Sequence, residues 1–186
     1  MSDAASQPTI PTARLILRPF GAGDVGALRA AGEVMISGTD TQSLPTDAEA
    51  EAYIAARRAL YDAHRGVAFA VEEGGALCGH VGLLCDFPNR NAALLFEIFP
   101  AWQGRGHATE ALRCLIGYSF GYFRIGRVHA EHLASNPAAG RVLEKIGFPK
   151  EGYRREHCFR PGMGPQDLVE YGMLLHEWAE VAHGTA

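Results

Sequence analysis

The chain has 186 residues, of which 47% are hydrophobic and 20% charged. This length and composition fit one folded domain and exclude a disordered chain. The formal net charge of −4, without a run of Lys or Arg, argues against nucleic acid as a main partner. No apolar stretch reaches membrane-spanning length, the first residues lack a signal-peptide layout, and the four cysteines are widely spaced. We therefore expect a cytoplasmic protein that binds neither membrane nor nucleic acid.

The sequence of the N-terminal part predicts a flexible terminus, a strand and a short helix. Residues 1–11 are rich in small and polar side chains and are expected to be flexible, which leaves residues 12–186 as a single domain. Over residues 14–20, the alternation of polar and apolar side chains is sufficient to predict a strand. Asp24 is expected to cap a helix that runs to about Ala31.

A polar loop, a helix and three strands are predicted next. Residues 33–46 are rich in Gly, Ser and Thr and indicate a loop. Thr46 and Glu49 have the spacing of a capping box, so a helix should follow to about His64. Strands are expected at residues 67–72, 77–84 and 92–99, the first two joined as a hairpin.

The second half of the chain alternates helices and strands. A helix should begin near Gly104 to Gly106, and residues 127–133 predict a strand. Asn136 is typical of a helix N-cap and Gly147 of a helix stop. Two strands at residues 152–158 and 168–175 and a short helix around Glu177 should complete the chain. The order β-α-α-β-β-β-α-β-α-β-β predicts an α/β fold with a mixed sheet.

The most informative segment, residues 100–112, leads from a strand through a Gly-x-Gly turn into an amphipathic helix. Such a turn directs backbone N–H groups and the positive helix end at one point, and glycines let an anion approach. The segment therefore predicts a phosphate or pyrophosphate site. A dinucleotide fingerprint of an oxidoreductase is the alternative, but Thr109 stands where that fingerprint needs Gly or Ala.

The same segment carries a family resemblance. Gln103, Gly106 and Ala108 match the (Gln/Arg)-x-x-Gly-x-(Gly/Ala) motif for acetyl-CoA of the GNAT superfamily. The chain resembles the RimJ/RimL-like branch, which contains ribosomal-protein N-terminal acetyltransferases. Further matching blocks lie at residues 14–20, 104–111, 143–148, 151–152 and 167–178, together with Asn136.

The resemblance implies a GNAT fold, with a mixed, mostly antiparallel sheet flanked by helices, and acetyl-CoA as co-substrate. It implies that backbone at Ile98 and Phe99 holds the pantetheine arm, that Asn136 contacts it, and that backbone N–H groups bind the CoA pyrophosphate. The pyrophosphate-binding segment would consist of Gln103, Gly104, Arg105, Gly106, His107, Ala108 and Thr109. The acceptor would be a primary amine, of a protein N-terminus or a small molecule, and the protein a monomer or homodimer.

Acetylation of an amine needs a general base, because alkyl ammonium groups hold their proton near pH 7. Glu97 is the first candidate, as the lone charge in the predicted strand 92–99; an ion pair or a solvent-facing position is the alternative interpretation. His129 and Glu131 should share one face of a strand and His132 the other. These residues lack a third clustered ligand, so we expect no metal.

Other positions carry weaker expectations. His107 should point to solvent, and Trp102 should serve packing. Leu143 replaces the tyrosine that many GNAT enzymes use as an acid, so a non-catalytic acyl-CoA sensor is the alternative function. The loops at residues 32–45 and 160–167 should shape the binding site for the acceptor.

Overall fold

This computed structural model describes residues 6–36 and 39–183. The fold is built on an eight-stranded sheet with helices on both faces. The strands are β1 (Ile10–Pro11), β2 (Ile16–Arg18), β3 (Glu33–Met35), β4 (Thr41–Ser43), β5 (Gly66–Glu73), β6 (Ala76–Asp86), β7 (Asn91–Ile98), β8 (Arg127–Leu133), β9 (Lys150–Arg160) and β10 (Gly164–Leu174). The helices are α1 (Val25–Ala31), α2 (Asp47–Asp62), α3 (His107–Tyr122), α4 (Pro137–Ile146) and α5 (Leu175–His183).

The sheet order is β1-β2-β5-β6-β7-β8-β10-β9, and every neighbouring pair is antiparallel except β7 and β8. This arrangement confirms the predicted mixed, mostly antiparallel sheet. Among the described residues, no helix is long and apolar enough to cross a membrane.

The core has two layers because the central strand β5 is buried on both faces. Val67, Phe69 and Val71 pack into the larger cluster with α3 and α4. Ala68 and Ala70 face the opposite way and pack with α1 and α2. A strand between two helix layers is apolar throughout, since successive side chains point to opposite faces.

The chain around α1 differs from the sequence predictions at three places. Residues 33–46, expected to be a loop, contain β3 and β4, which pair as a separate hairpin. Ile10 and Pro11, within the segment expected to be flexible, pair with Leu17 and Ile16. The third concerns Asp24, whose side chain does not cap α1.

The Asp24 carboxylate is occupied by other donors. It accepts hydrogen bonds from Arg18 Nη1 and Nη2 (2.8 and 2.7 Å) and from the Gly21 N–H (2.8 Å). A buried carboxylate is strongly stabilised by a bidentate guanidinium. Asp24 therefore joins β2 to the turn that precedes α1. The capping box of Thr46 and Glu49 at the start of α2 is confirmed.

The parallel strands β7 and β8 pair over only a short stretch and then separate. Their register runs from Asn91 opposite Arg127 to Ala93 opposite His129. Beyond Ala93, β7 continues to Ile98 while β8 remains paired only with β10. A gap lined by unpaired backbone therefore opens in the middle of the sheet.

Gly79 fixes the approach of β6 to the free end of β7. It lies opposite Ile98, and a Cβ placed on it would be 2.1 Å from the Glu97 carbonyl oxygen. We predict that Gly79→Ala lowers the unfolding free energy by about 1–3 kcal/mol, since backbone cannot give way as a side chain does. Denaturant titration measures the change. Gly23→Ala, with no atom within 4 Å, is the control, and equal effects of the two variants would contradict the steric explanation.

Candidate active site

A cleft of about 730 Å³ occupies the gap between β7 and β8 and continues to the start of α3. Every residue predicted for the site except Arg105 lines it. These residues are Glu97, Ile98, Phe99, Gln103, Gly104, Gly106, His107, Ala108, Thr109 and Asn136. The fold thus brings together the end of β7, the glycine turn and the start of α4.

The glycine turn at one end of the cleft presents backbone donors without acceptors. Gly104 and Gly106 have φ of 76° and 83°, the left-handed conformation that favours glycine. No backbone N–H of residues 104–109 donates to another residue in the described part of the chain. The Gln103 N–H, by contrast, already donates to the Pro100 carbonyl (3.3 Å). Free N–H groups at a helix N-terminus form a site for an anion.

The N-terminal segment holds this turn in place through Glu110, in the first turn of α3. Glu110 Oε1 accepts from the Thr12 hydroxyl (2.6 Å) and the Arg14 backbone N–H (2.8 Å). Arg14 Nε donates to Glu110 Oε2 (2.8 Å), and Arg14 Nη1 donates to the Arg105 carbonyl (3.1 Å). The partial burial of Glu110 acts to raise its pKa, but the hydrogen bonds from Thr12 and Arg14 outweigh it and lower the pKa overall.

Side chains of the turn serve its structure rather than the cleft. The expectation that His107 points to solvent is wrong, because the residue is only 1% exposed. Its Nδ1 lies 2.9 Å from the Trp102 carbonyl oxygen, and its Nε2 lies 3.2 Å from Glu73 Oε1 without hydrogen-bond geometry. Arg105 packs its guanidinium over the Trp102 ring at 5.0 Å. These contacts hold the turn while its backbone N–H groups remain free.

At the free end of β7, alternate residues direct their backbone into the gap. Phe99, expected to help hold the pantetheine arm, donates its N–H to the Cys78 carbonyl and accepts from the Trp102 N–H (both 2.8 Å). In an antiparallel pair, the residues that face the partner alternate along the strand. The backbone groups of Phe96 and Ile98 therefore point toward the gap. The sequence analysis missed Phe96, although strand alternation would have identified it.

Glu97 lies near the C-terminal end of β7 and lines the cleft, and its side chain is 23% exposed. Its Oε2 accepts from the Met35 N–H (2.9 Å) and lies 3.0 Å from His80 Nε2. The other carboxylate oxygen, Oε1, has no hydrogen-bond partner among the described residues. Glu97 is thus neither a surface residue nor paired with an Arg or Lys.

Asn136 and Leu143 both belong to the α4 region, one at its exposed start and the other in the buried core. Asn136 occupies the N-cap position of α4, but its side chain makes no capping hydrogen bond. Its amide remains exposed at the edge of the cleft. Leu143 is fully buried in the larger core cluster, so that position contributes packing and no acid.

The polar residues of β8 fall on the faces expected from alternation. His132 is buried, whereas His129 and Glu131 are half-buried on the other face. Burial, assisted by the charge of Arg127, lowers the pKa of His129. Among the described residues, no group of His, Cys, Asp and Glu has the arrangement of a metal site.

Two hairpins form the remaining walls of the cleft, as expected for the loops at residues 32–45 and 160–167. The β3–β4 hairpin contributes Glu33, Met35 and Thr41, and the β9–β10 hairpin contributes Arg160. The second loop is short because its strands extend to Arg160 and from Gly164.

The comparison with known proteins identifies the family. A family model described as an acetyltransferase (GNAT) domain matches residues 14–149. The chain belongs to this family. The uncharacterized N-acetyltransferase YoaA of Bacillus subtilis is 28% identical over 172 residues, which cover 90% of this chain and 97% of YoaA.

Other relatives match over a shorter stretch or in fold alone. The ribosomal protein uS5-alanine N-acetyltransferase of Escherichia coli is 34% identical over 83 residues, 45% of this chain and 42% of that enzyme. RimJ of Mycobacterium smegmatis, solved in complex with CoA-disulfide, has a TM-score of 0.80 at 20% identity. That comparison covers 97% of this chain and 96% of RimJ. The GNAT fold and the predicted similarity to RimJ and RimL proteins are confirmed.

The Glu110 cluster predicts a pH-dependent stability. Because the folded state lowers the pKa of Glu110, its contribution is complete above the unfolded carboxyl pKa of about 4.3 and is lost as the pH falls through the lower folded value. Glu110→Gln should reduce the unfolding free energy by about 1–3 kcal/mol at pH 7. The difference should shrink in the acidic range, as measured by denaturant titration. Glu51→Gln, at an exposed position of α2, is the control; a loss that stayed constant with pH would contradict this explanation.

Proposed function

We propose that this chain transfers an acetyl group from acetyl-CoA to a primary amine, either a protein N-terminus or a small-molecule amine. The observation that carries the proposal is the row of free backbone N–H groups at residues 104–109, which opens into the same cleft as the Glu97 carboxylate. The anion-binding turn suits an acyl donor that carries phosphate groups, and the candidate base in the same cleft suits an amine acceptor.

The glycine turn fits the pyrophosphate of CoA. Its N–H groups are donors in need of acceptors. A Cβ placed on Gly104 would meet no atom within 4 Å, and one placed on Gly106 would meet Arg14 Nη2 at 3.4 Å. The backbone of Phe96 and the N–H of Ile98 would pair with the amide groups of the pantetheine arm, as a strand pairs with its neighbour. The Ile98 carbonyl already accepts from Gln103 Nε2 (2.8 Å). Asn136 has a free amide at the cleft edge for the same arm. Thr109 again disfavours the dinucleotide alternative, since it replaces a small residue of that fingerprint.

The reaction begins with removal of a proton from the acceptor ammonium by Glu97, directly or through one water. The neutral amine then attacks the thioester carbonyl carbon to form the C–N bond, and the C–S bond breaks as the tetrahedral intermediate collapses. The remaining surplus proton on the nitrogen passes to the departing thiolate or to solvent. CoA leaves as a thiolate, which needs no dedicated acid because a thiol pKa near 8.5 makes it a good leaving group. The buried Leu143 at the position of the family's tyrosine is consistent with this route.

The acceptor reaches Glu97 between the two hairpins. Glu33 and Glu97 would attract the ammonium group of an amine, whereas Arg160 of the β9–β10 hairpin adds a positive charge on the other side of the cleft. We place the reaction in the cytoplasm, consistent with four free thiols.

Gly106→Asp tests the anion cradle. An aspartate adds negative charge and a strained side chain at the turn, since Gly106 has a φ of 83°. We expect CoA affinity, measured by calorimetry, to fall at least about tenfold, or 1.4 kcal/mol. Gly162→Asp is the matched control, because Gly162 also has a positive φ of 78° and no atom near its Cβ position. Unchanged CoA affinity in a folded Gly106→Asp variant would place the cradle elsewhere.

Glu97→Gln tests the base. Glutamine keeps the shape of the side chain but does not take the amine proton, so kcat at pH 7 should fall by about 10²–10⁴-fold. The rate should partly recover at high pH, where more of the free amine is neutral, while acetyl-CoA affinity stays unchanged. If kcat falls in Glu131→Gln while Glu97→Gln keeps full activity, Glu131 would be the base instead.

The sensor alternative is tested with the parent protein across a panel of amines and peptides. Binding of acetyl-CoA without turnover above the background rate of thioester hydrolysis would favour a sensor.

A further inference from the structure

His80 is a buried histidine paired directly with the proposed base. It lies opposite Glu97 in the register of β6 and β7, and it is only 2% exposed. Its Nε2 is 3.0 Å from Glu97 Oε2. Tyr53, on α2, packs edge-on against the His80 ring, with the ring centroids 6.0 Å apart. The imidazole is thus held between the sheet and a helix.

The hydrogen positions follow from the neighbouring groups. The Tyr53 hydroxyl lies 3.1 Å from the Met35 carbonyl oxygen and 3.3 Å from His80 Nε2. Burial raises the pKa of Tyr53, with a further rise from Glu97 and an opposing effect from Arg57, so the phenol keeps its proton. That proton fits the Met35 carbonyl, which has no proton of its own to give. His80 Nε2 then carries the hydrogen that is donated to Glu97.

Met35 supplies the second donor to the same oxygen. Its backbone N–H donates to Glu97 Oε2 at 2.9 Å, so two N–H groups from β3 and β6 converge on one carboxylate oxygen. A carboxylate that is fixed at one oxygen is fixed in orientation, and its second oxygen, Oε1, accepts no hydrogen bond from the residues that the structure describes. Small displacements of a catalytic group are costly, because about 1 Å can reduce a rate by about 10²-fold.

We infer that His80 is a positioning residue for Glu97, which holds Oε2 together with the Met35 N–H and so presents Oε1 to the acceptor amine. This inference rests on the proposed role of Glu97 as the base. The charged and titratable groups around the imidazole are Glu97 on β7 and Tyr53 on α2, with Arg57 placed over the Tyr53 ring at 4.9 Å.

The test compares His80→Leu, which removes the donor, with His80→Gln, which retains an N–H donor on a side chain of similar reach. His80→Leu should lower kcat at pH 7 by about 10–100-fold while the KM for acetyl-CoA stays within about twofold. His80→Gln should recover part of the loss. The defect of His80→Leu should shrink at high pH, because a neutral amine does not need the base.

Two controls separate positioning from a loss of fold. His129→Leu makes the same change at a half-buried histidine of β8 that does not line the cleft, and it should keep the parent kcat. Each variant is first shown to be stabilised by acetyl-CoA in thermal unfolding. If His80→Leu does not fold, His80→Gln decides in combination with Glu97→Gln. A partial loss of kcat in His80→Gln that disappears in the Glu97→Gln background supports the positioning role, and no loss, or a loss that persists in that background, overturns it.

The double variant His80→Leu/Glu97→Gln completes the test. If His80 acts through Glu97, adding His80→Leu to Glu97→Gln should cause no further loss of kcat. Full additivity, or parent kcat in a folded His80→Leu, would overturn the positioning role while leaving Glu97 as the base. Parent kcat in Glu97→Gln would instead refute the base, and the inference with it.

Discussion

The separation of β7 from β8 after Ala93 is the constraint on which the site depends. A continuous ladder between these strands would satisfy the backbone of Phe96 and Ile98 and close the cleft. Because pairing stops after Ala93, main-chain groups on the β8 side of β7 are left without a strand partner. Unpaired backbone of this kind is costly unless water or a ligand satisfies it. This unpaired backbone supports the proposal that the gap is where the acyl donor binds.

The surroundings of the gap keep it open at a fixed width. Gly79 lets β6 approach the end of β7, and the Gln103 side chain binds the Ile98 carbonyl (2.8 Å). On the other side, α4 packs against β8 and α3 through Leu143 and Ile146, both in the larger core cluster. The cleft is thus bounded by packed elements, which gives the geometric precision that catalysis requires.

Much of the fold could be predicted because its elements carry local signals. The bounds of β8 agree fully with the predicted 127–133, and the capping box of Thr46 marks the start of α2. The β3–β4 hairpin escaped prediction because its strands are three residues each, mostly polar, and held by a tertiary contact from Met35 to Glu97. Local patterns contain no information on such a contact.

In the candidate site, too, features with a local sequence signal could be predicted and features that depend on tertiary contacts could not. The glycine turn was identified from its residues, since the conformation it needs restricts them. His107 was misplaced because its burial depends on Trp102 and Glu73, which come from other parts of the fold. His80 is polar within an apolar strand, a signal that points to a buried partner but does not say which one.

The Arg14–Glu110 contact also joins the beginning of the described chain to the glycine turn. Thr12 and Arg14 lie in the short connection between β1 and β2, at one edge of the sheet, where strands fray most easily. Since these residues bind Glu110 and the Arg105 carbonyl, detachment of this edge and loosening of the turn are one event. A ligand in the turn would therefore protect the N-terminal segment from proteases. An affinity tag or truncation near residue 12 would disturb ligand binding for the same reason.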